Sequence, residues 1–280
     1  MSDRRRHFAN DRVAHEALRG QVRAARFSDG TLMRVIRPVL SLYAFPHAPR
    51  VERQVLFGQR VTHLETREGW AFVRDESNGH VGYVRAEGLA GWSRPTHRVR
   101  VARTLVFGAP DIKCADPVPL SLGSLLTVVR GAGRFVQLLD GRFALAAHLD
   151  PVTQHESDPV AVAERLLGTP YLWGGNSAFG IDCSGLVQAG LMACGMDCPG
   201  DSDMQAAELG QSLAEGAALR RGDLLFWKGH VGMMADGETL LHANAHHMAV
   251  AYEPVAAAID RIAGQGEGPV TARKRLGGLS

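Results

Sequence analysis

Cysteine is scarce in this chain of 280 residues, which contains four of them. They stand at Cys114, Cys183, Cys194 and Cys198 and form no Cys-x-x-Cys pair. A chain of this length can bury a sizeable core without disulfides, so a disulfide-stabilised secreted scaffold is disfavoured. We expect free thiols in a reducing compartment, although the short spacing between Cys194 and Cys198 leaves a bridge between these two open.

Long hydrophobic runs are missing as well. No segment approaches the ~20 apolar residues that a membrane-spanning helix needs. Charged residues interrupt the stretch from Met1 to Gly20, where a signal peptide would carry its apolar core. The net charge of +2 is too small to favour nucleic-acid binding, and Arg4–Arg6 is typical of a solvated tail. The sequence therefore predicts a cytoplasmic protein, unless it is exported by an unusual route, with neither membrane nor nucleic acid as partner.

Metal-binding and phosphate-binding motifs are also lacking. The motif His-Glu-x-x-His does not occur, and Gly174–Gly175 is not followed by the Gly-Lys-Ser/Thr of a phosphate loop. Zinc is the rival explanation for His242, Asn244, His246 and His247, but no acidic residue stands at ligand spacing in that run. We expect neither a metal nor another cofactor.

The composition divides the chain into five segments. Apolar residues spaced along one side of Asp11–Arg23 predict an amphipathic helix near the N-terminus. Short strands separated by turn residues follow, and after a polar linker the pattern changes to helices and strands of an α+β domain. The predicted segments are a helical segment at 1–25, a first β domain at 26–95, a second at 96–150, a linker at 151–158 and the α+β domain at 159–280.

The two β domains show the same residue spacing. Gly58, Trp70 and Val73 correspond to Gly123, Phe135 and Leu138, each 65 positions later, and Tyr83 and Leu89 correspond to Phe143 and Leu149, 60 positions later. The offset changes only within a turn, which indicates two copies of one small fold. The pattern resembles two bacterial SH3-like barrels.

A cysteine stands where a glycine-rich loop leads into a predicted helix. Asp182 is a typical N-cap residue, so Cys183 would lie in the first helical turn. The helix dipole favours an anion there, and a thiol at a helix N-terminus can have its pKa lowered from about 8.5 to between roughly 3.5 and 7.5. First-turn amides can also stabilise an oxyanion. A buried structural cysteine is the alternative, but Asp182 and Ser184 are unusual neighbours for a core thiol, and we predict a nucleophile.

Two histidines downstream could complete the reaction centre. His230 begins a predicted strand, and a neutral imidazole can accept the proton of a thiol and return it to a leaving amine. His242 falls in the next predicted strand, where an antiparallel partner can face His230 and hold its tautomer. A surface histidine and a polar sheet residue are the plainer interpretations. The order Cys183, His230, His242 nevertheless predicts a nucleophile, a base and an orienting residue of a cysteine hydrolase.

Five motifs in the last domain carry a family resemblance. Across roughly residues 160 to 276 they read Tyr-Leu-Trp-Gly-Gly, Asp-Cys-Ser-Gly-Leu-Val-Gln, Arg-Arg-Gly-Asp-Leu-Leu-Phe-Trp, His-Val-Gly and Leu-His-Ala. This series resembles the NlpC-like cell-wall peptidases, papain-like cysteine peptidases of bacteria. Behind two SH3-like barrels, it is similar to the subgroup that cleaves γ-D-glutamyl bonds to a diamino acid. The implied fold is α+β: a papain-like domain with N-terminal helices and an antiparallel sheet, preceded by two small all-β barrels.

The resemblance also implies residues that bind substrate. Asp182 would pair with the free amino group of an N-terminal L-alanine, and Ser184 would contact the α-carboxylate of the D-glutamyl residue. Tyr171 would line the cleft with its hydroxyl near the oxyanion. Helix capping by Asp182 and Ser184, and simple packing of Tyr171, remain open as alternatives.

The first barrel of this subgroup usually adds a tyrosine to the substrate site, in a Gly-Tyr-x-Gly-Trp turn. This chain reads Gly79-His80-Val81-Gly82-Tyr83, so His80 takes the place of that tyrosine. His80 can still donate a hydrogen bond to a peptide, but the replacement questions strict specificity for a free N-terminal L-Ala. A histidine of a surface turn is the alternative.

The resemblance implies a monomeric γ-D-glutamyl-L-diamino-acid endopeptidase that acts on murein-derived peptides in cell-wall recycling. Diaminopimelate and lysine are both open as the diamino acid. Two other functions remain open: a cysteine amidase or acyltransferase acting on muramoyl peptides, and a catalytically inert protein that binds cell-wall peptide.

Overall fold

The computed structural model describes residues 3–214 and 216–277. The chain forms two compact units, Met1–Thr153 and Gln154–Ser280, and the boundary between them falls inside the predicted linker at 151–158. The last three positions of the predicted α+β domain lie outside the described residues. No helix of the described ranges is both long and apolar enough to span a membrane.

The prediction of an amphipathic helix over Asp11–Arg23 is wrong, and so is the prediction that residues 1–25 form a helical segment. The segment forms short 3-10 turns at Arg4–Arg6 and Glu16–Leu18, together with strands β1 (Val13–His15) and β2 (Arg26–Ser28), which pair in parallel. Packing explains the difference, because the consecutive residues Val13 and Ala14 are both fully buried, as an extended segment allows. Gly20, inside the expected helix, has a left-handed φ of 81°.

The first unit consists mainly of strands. Two further 3-10 turns lie at Ala86–Gly88 and Ala146–His148. The remaining strands are β3 (Thr31–Val35), β4 (Val39–Tyr43), β5 (Val51–Leu56), β6 (Arg60–Arg67), β7 (Trp70–Asp75), β8 (Val81–Arg85), β9 (Leu89–Gly91), β10 (His97–Val99), β11 (Arg103–Phe107), β12 (Val118–Ser121), β13 (Leu125–Leu126), β14 (Val128–Ala132), β15 (Phe135–Leu138), β16 (Phe143–Leu145) and β17 (Leu149–Pro151).

One strand order occurs twice in this unit. The first half follows β5-β4-β8-β7-β6, and the second half follows β12-β11-β16-β15-β14. The remaining strands also correspond, since β3 pairs with β6 and β9 while β10 pairs with β13 and β17. Trp70 and Phe135 begin β7 and β15, and Leu89 and Leu149 begin β9 and β17, as their spacing indicates. The internal repeat is confirmed.

The expectation of two closed barrels needs correction. In the first copy β5 and β9 form the two edges of a seven-stranded sheet and do not pair with one another within the described residues. In the second copy the pairing is divided between a five-stranded and a three-stranded sheet. Each copy does enclose its own apolar core, one around Val35 and Val73 and the other around Val106 and Leu138.

The second unit has the expected α+β composition. Its elements are α1 (Pro159–Glu164), β18 (Asn176–Ser177), β19 (Gly180–Ile181), α2 (Cys183–Ala193), α3 (Ser202–Glu208), β20 (Gln211–Ser212), β21 (Leu224–Trp227), β22 (His230–Met234), β23 (Thr239–Asn244), β24 (Ala249–Pro254), α4 (Val255–Gly264) and β25 (Ala272–Arg275). An antiparallel sheet has the order β20-β25-β21-β22-β23-β24.

Helices cover this sheet and position the site. The N-terminal helix α2 contacts β22 and β23, and its residues Leu186, Val187 and Leu191 are buried. On α4, Ala258 and Ile262 pack into a core with residues of β21, β22 and β23. The N-terminus of α2 and the strands that carry the two candidate histidines are therefore parts of one packed assembly.

Candidate active site

Cys183 is the first residue of α2, and Asp182 caps the helix as the sequence predicts. The Gly185 amide donates to Asp182 Oδ1 at 2.6 Å, which is the hydrogen bond of an N-cap side chain. The Gly174 amide donates to Asp182 Oδ2 at 3.0 Å. One carboxylate thus joins the glycine-rich loop to the start of the helix. The thiol is buried in the first helical turn, where the helix dipole favours a thiolate.

The loop approaches the helix closely because Gly185 has no side chain. A Cβ atom at this position would lie 2.4 Å from the carbonyl oxygen of Gly175. Any larger residue would therefore push the loop and the helix apart. The motif Asp-Cys-Ser-Gly consequently combines a capping residue, a thiol and the close approach that holds the loop over it.

Ser184 and Asp182 bind one another. The hydroxyl of Ser184 donates to Asp182 Oδ1 at 3.0 Å, and both side chains are buried. The capping role that the sequence left open is thus present for Asp182, and Ser184 supports it. Recognition of an amine by Asp182 and of a carboxylate by Ser184 stay predictions.

Tyr171 lies in the loop before the helix. Its amide donates to the carbonyl of Met248 at 2.9 Å, and the residue forms a bridge with Ile181. Burial raises the pKa of its phenol above the ordinary value, and negative charge at Cys183 and Asp182 raises it further. The hydroxyl therefore lies within electrostatic reach of Cys183 and stays protonated as a hydrogen-bond donor.

His230 is the first residue of β22, directly after a tight turn at Lys228–Gly229. Its Nε2 lies 3.0 Å from Nδ1 of His242. Burial, followed by repulsion from a protonated His242 and from Arg261, lowers the pKa of His230 to about 3. An unprotonated imidazole is the form that can accept a thiol proton.

His242 lies on β23 and is fully buried. The register pairs Met233 with Leu241, so His230 and His242 are diagonal neighbours rather than direct partners across the two strands. Their rings still meet, with centroids 5.2 Å apart. The contact expected from the sequence is present, although its geometry differs from direct opposition.

Two residues that the sequence analysis missed continue this contact. Glu253 on β24 places Oε2 3.0 Å from Nε2 of His242. Arg261 on α4 donates to both carboxylate oxygens, from Nε at 2.9 Å and from Nη2 at 2.8 Å. These hydrogen bonds from Arg261 hold the pKa of Glu253 below its usual value. One signal in the sequence could have identified Glu253, because it is the first carboxylate residue after His242.

A metal site was disfavoured because no acidic residue stood near the histidines in sequence. In space Glu253 does lie near them, since ligand atoms of His242, His247 and Glu253 all lie within 4.8 Å of one another. Both ring nitrogens of His242 already face other side chains, and the positive charge of Arg261 lies beside the carboxylate of Glu253. The donor set therefore fits a hydrogen-bonded chain better than a cation.

His80 lies in the first unit and is buried, so the alternative of a surface-turn histidine is wrong. Its amide donates to the side chain of Asn78 at 2.9 Å, and its Nε2 lies 3.4 Å from Oε2 of Glu52. Contact between His80 and a substrate peptide stays a prediction. Cys114, Cys183, Cys194 and Cys198 carry thiols and form no disulfide in the described residues, so a bridge between Cys194 and Cys198 is not present.

Two family models match the chain. The model of the NlpC/P60 family matches residues 168–260, which include Cys183, His230 and His242. The model of the bacterial dipeptidyl-peptidase Sh3 domain matches residues 42–89, which lie in the first β copy.

Relatives with curated names cover both regions. The γ-D-glutamyl-L-lysine dipeptidyl-peptidase of Bacillus subtilis (strain 168) is 29% identical over 220 residues, which cover 69% of this chain and 72% of the relative. Dipeptidyl-peptidase 6 of Lysinibacillus sphaericus is 27% identical over 238 residues, which cover 75% of this chain and 86% of the relative.

A solved structure supports the fold over most of the chain. An NlpC/P60 family protein from Bacillus cereus ATCC 10987 superimposes with a TM-score of 0.75 at 19% identity, covering 89% of this chain and all of that one. The papain-like fold expected for the second unit is therefore confirmed. The chain carries an NlpC/P60 domain with a bacterial SH3 domain ahead of it, and it is homologous to the γ-D-glutamyl-L-lysine dipeptidyl-peptidases.

Proposed function

We propose that this NlpC/P60 hydrolase cleaves the γ-D-glutamyl bond to a diamino acid in murein stem peptides that carry a free N-terminal L-Ala. The observation that carries the proposal is Cys183 at the start of α2, in a unit where His230 and His242 meet at 3.0 Å. The names of the relatives support the same bond, with L-lysine as the diamino acid.

The proposed reaction begins with the thiol. His230 accepts the proton of Cys183, and the sulfur attacks the γ-carbonyl carbon of the D-glutamyl residue. The carbonyl oxygen becomes an oxyanion, which first-turn amides and the Tyr171 hydroxyl would stabilise. The C–N bond then breaks as His230 returns the proton to the leaving amine of the diamino acid. Water hydrolyses the resulting thioester through the same base, which releases L-Ala-D-Glu and regenerates the thiol.

The location of Asp182 supports recognition of a free amine. Its carboxylate adjoins the nucleophile in sequence and lies at the end of the loop that covers the helix. An ammonium group bound there would place the alanine one residue from the scissile bond. Short peptides released from murein carry such an amine, whereas the stem peptides of intact murein do not, which supports a role in recycling. A cytoplasmic location is part of this proposal, and cell fractionation would test it.

Mass spectrometry of the products tests the function. L-Ala-γ-D-Glu-meso-diaminopimelate and its L-lysine analogue would each be incubated with wild-type protein and with Cys183→Ala. We expect L-Ala-D-Glu to be released by wild type alone, and faster from the peptide with the preferred diamino acid. Equal digestion of intact sacculi would contradict the recycling role. Cleavage of muramoyl-L-Ala substrates without cleavage of either free peptide would contradict the proposed bond and favour the amidase.

A further inference from the structure

Glu253 is an acceptor at the end of the histidine pair. Its carboxylate receives two hydrogen bonds from Arg261, which hold the group in its ionised form. An ionised carboxylate has no proton to donate. The contact of 3.0 Å between Glu253 Oε2 and His242 Nε2 therefore requires the proton to be on Nε2 of His242.

The tautomer of His242 then determines that of His230. His242 is neutral, because its complete burial lowers its pKa to about 4 against the opposing influence of Glu253. A neutral imidazole with its proton on Nε2 has only a lone pair on Nδ1. In the hydrogen bond of 3.0 Å between these two histidines, Nε2 of His230 must consequently donate to Nδ1 of His242. Neutral His230 is left with an unprotonated Nδ1, which is the atom able to accept the proton of Cys183.

We propose that Glu253, held by Arg261, is a positioning residue that fixes one tautomer in both histidines and so makes Nδ1 of His230 the base. This role rests on the proposed peptidase function, because it concerns the base of that reaction. The direction of each hydrogen bond persists when His230 is protonated during catalysis, because His230 Nε2 donates in both states. The negative charge of Glu253 also opposes the loss of that proton to solvent.

Arg261 makes the sign of this effect testable. Nη2 of Arg261 donates to Oε2 of Glu253, the same oxygen that faces Nε2 of His242, while Nε of Arg261 donates to Oε1. In Glu253→Gln, an amide carbonyl at the Oε2 position accepts from both Arg261 and His242, so the tautomers are retained. In Glu253→Leu no acceptor faces Nε2 of His242, so its proton can move to Nδ1 and be donated to His230, which moves the His230 proton to the nitrogen needed as the base.

The activity test compares Glu253→Leu with Glu253→Gln. We expect Glu253→Leu to lose at least about tenfold in kcat with little change in KM, since the wrong tautomer disables the base without altering peptide binding. Glu253→Gln keeps an acceptor for Nε2 of His242, so it should recover part of the lost kcat. A Glu253→Gln variant no more active than Glu253→Leu would overturn the proposal. Far-ultraviolet circular dichroism establishes that the variants remain folded.

A measurement without substrate separates this proposal from the peptidase function. In Cys183→Ala, ¹⁵N chemical shifts of the imidazole rings report which nitrogen of His242 and of His230 carries a proton. We expect protons on Nε2 of both rings, and a shift of both toward Nδ1 when Glu253→Leu is added but not when Glu253→Gln is added. Protonated Nδ1 in His230 before that change would overturn the assignment. Failure of the wild type to cleave any peptide would instead contradict the proposed function and leave the tautomer result intact.

Discussion

Asp182 binds the backbone of Gly174 across the loop that precedes α2, with Oδ2 accepting the Gly174 amide at 3.0 Å. The other oxygen of the same carboxylate caps α2. One side chain therefore has a structural role toward the loop and the helix, and a proposed role toward the substrate amine. Substitutions at this position can separate the two.

Asp182→Ala removes the cap and leaves the buried Gly174 amide without its acceptor. We expect a loss of about 2 kcal/mol in the free energy of unfolding, measured by urea denaturation. Asp182→Asn retains a capping oxygen and removes the charge, so its loss of stability should be smaller. With the stable Asn variant, kcat/KM should fall for the free tripeptide and not for its N-acetyl form. An equal fall for both substrates would contradict recognition of the amine.

Tyr171→Phe removes a hydroxyl that burial and nearby negative charge keep protonated. If this donor stabilises the oxyanion, kcat should fall by about 100-fold with KM nearly unchanged, the typical size for one such donor. The aromatic ring is retained, so the substitution removes the hydrogen-bond donor and leaves the packing of the ring in place. Steady-state kinetics on the tripeptide makes the measurement. An unchanged kcat would identify Tyr171 as a packing residue.

The stability of the second unit should depend on pH through its histidine pair. Burial lowers the pKa of His242 to about 4 and that of His230 to about 3, below the value of about 6.5 in an unfolded chain. The unfolded chain binds these protons first, so the free energy of unfolding is highest above that value and decreases as the pH falls toward the folded pKa values.

Urea unfolding between about pH 7 and about pH 5 measures this dependence before most carboxylates titrate. The charged and titratable groups near the pair are Glu253, Arg261 and the exposed His247. His242→Gln should give a shallower decrease than wild type over the same range. A decrease of the same slope in both proteins would show that other groups are responsible for it.

Cys183 should react differently from the other three cysteines. Its place at the start of α2 favours the thiolate, whereas Cys198 is buried and its thiol contacts the Pro199 carbonyl at 3.5 Å. Iodoacetamide at mildly acidic pH should therefore label Cys183 first, as read by peptide mass spectrometry. His230→Ala should slow that labelling. Equal slow labelling of all four thiols would favour the inert peptide-binding interpretation.

The geometry of the candidate site was predictable where its signals are local. Asp182 as a helix cap and His230 after a tight turn follow from neighbouring residues, and both are present in the structure. Glu253 and Arg261 were not predictable, because their contacts depend on the register of β23 and β24 and on the packing of α4. No periodicity in the sequence encodes a diagonal contact between two strands.

The prediction for the N-terminal segment failed for a related reason. Helical spacing of apolar residues in Asp11–Arg23 is a local preference, and tertiary burial of Val13 and Ala14 overrides it. The repeated β topology was found because it leaves the same spacing twice in one chain. Whether each barrel closes could not be predicted from this spacing, since closure depends on whether the two edge strands pair.

The strand β25 lies inside the sheet of the second unit, between β20 and β21, although it follows every other described strand of that sheet in sequence. A ribosome therefore synthesises Cys183, His230 and His242 well before the strand that joins β20 to the sheet carrying the two histidines. We expect a nascent chain that ends before β25 to leave β20 without its pairing partner and this sheet incomplete.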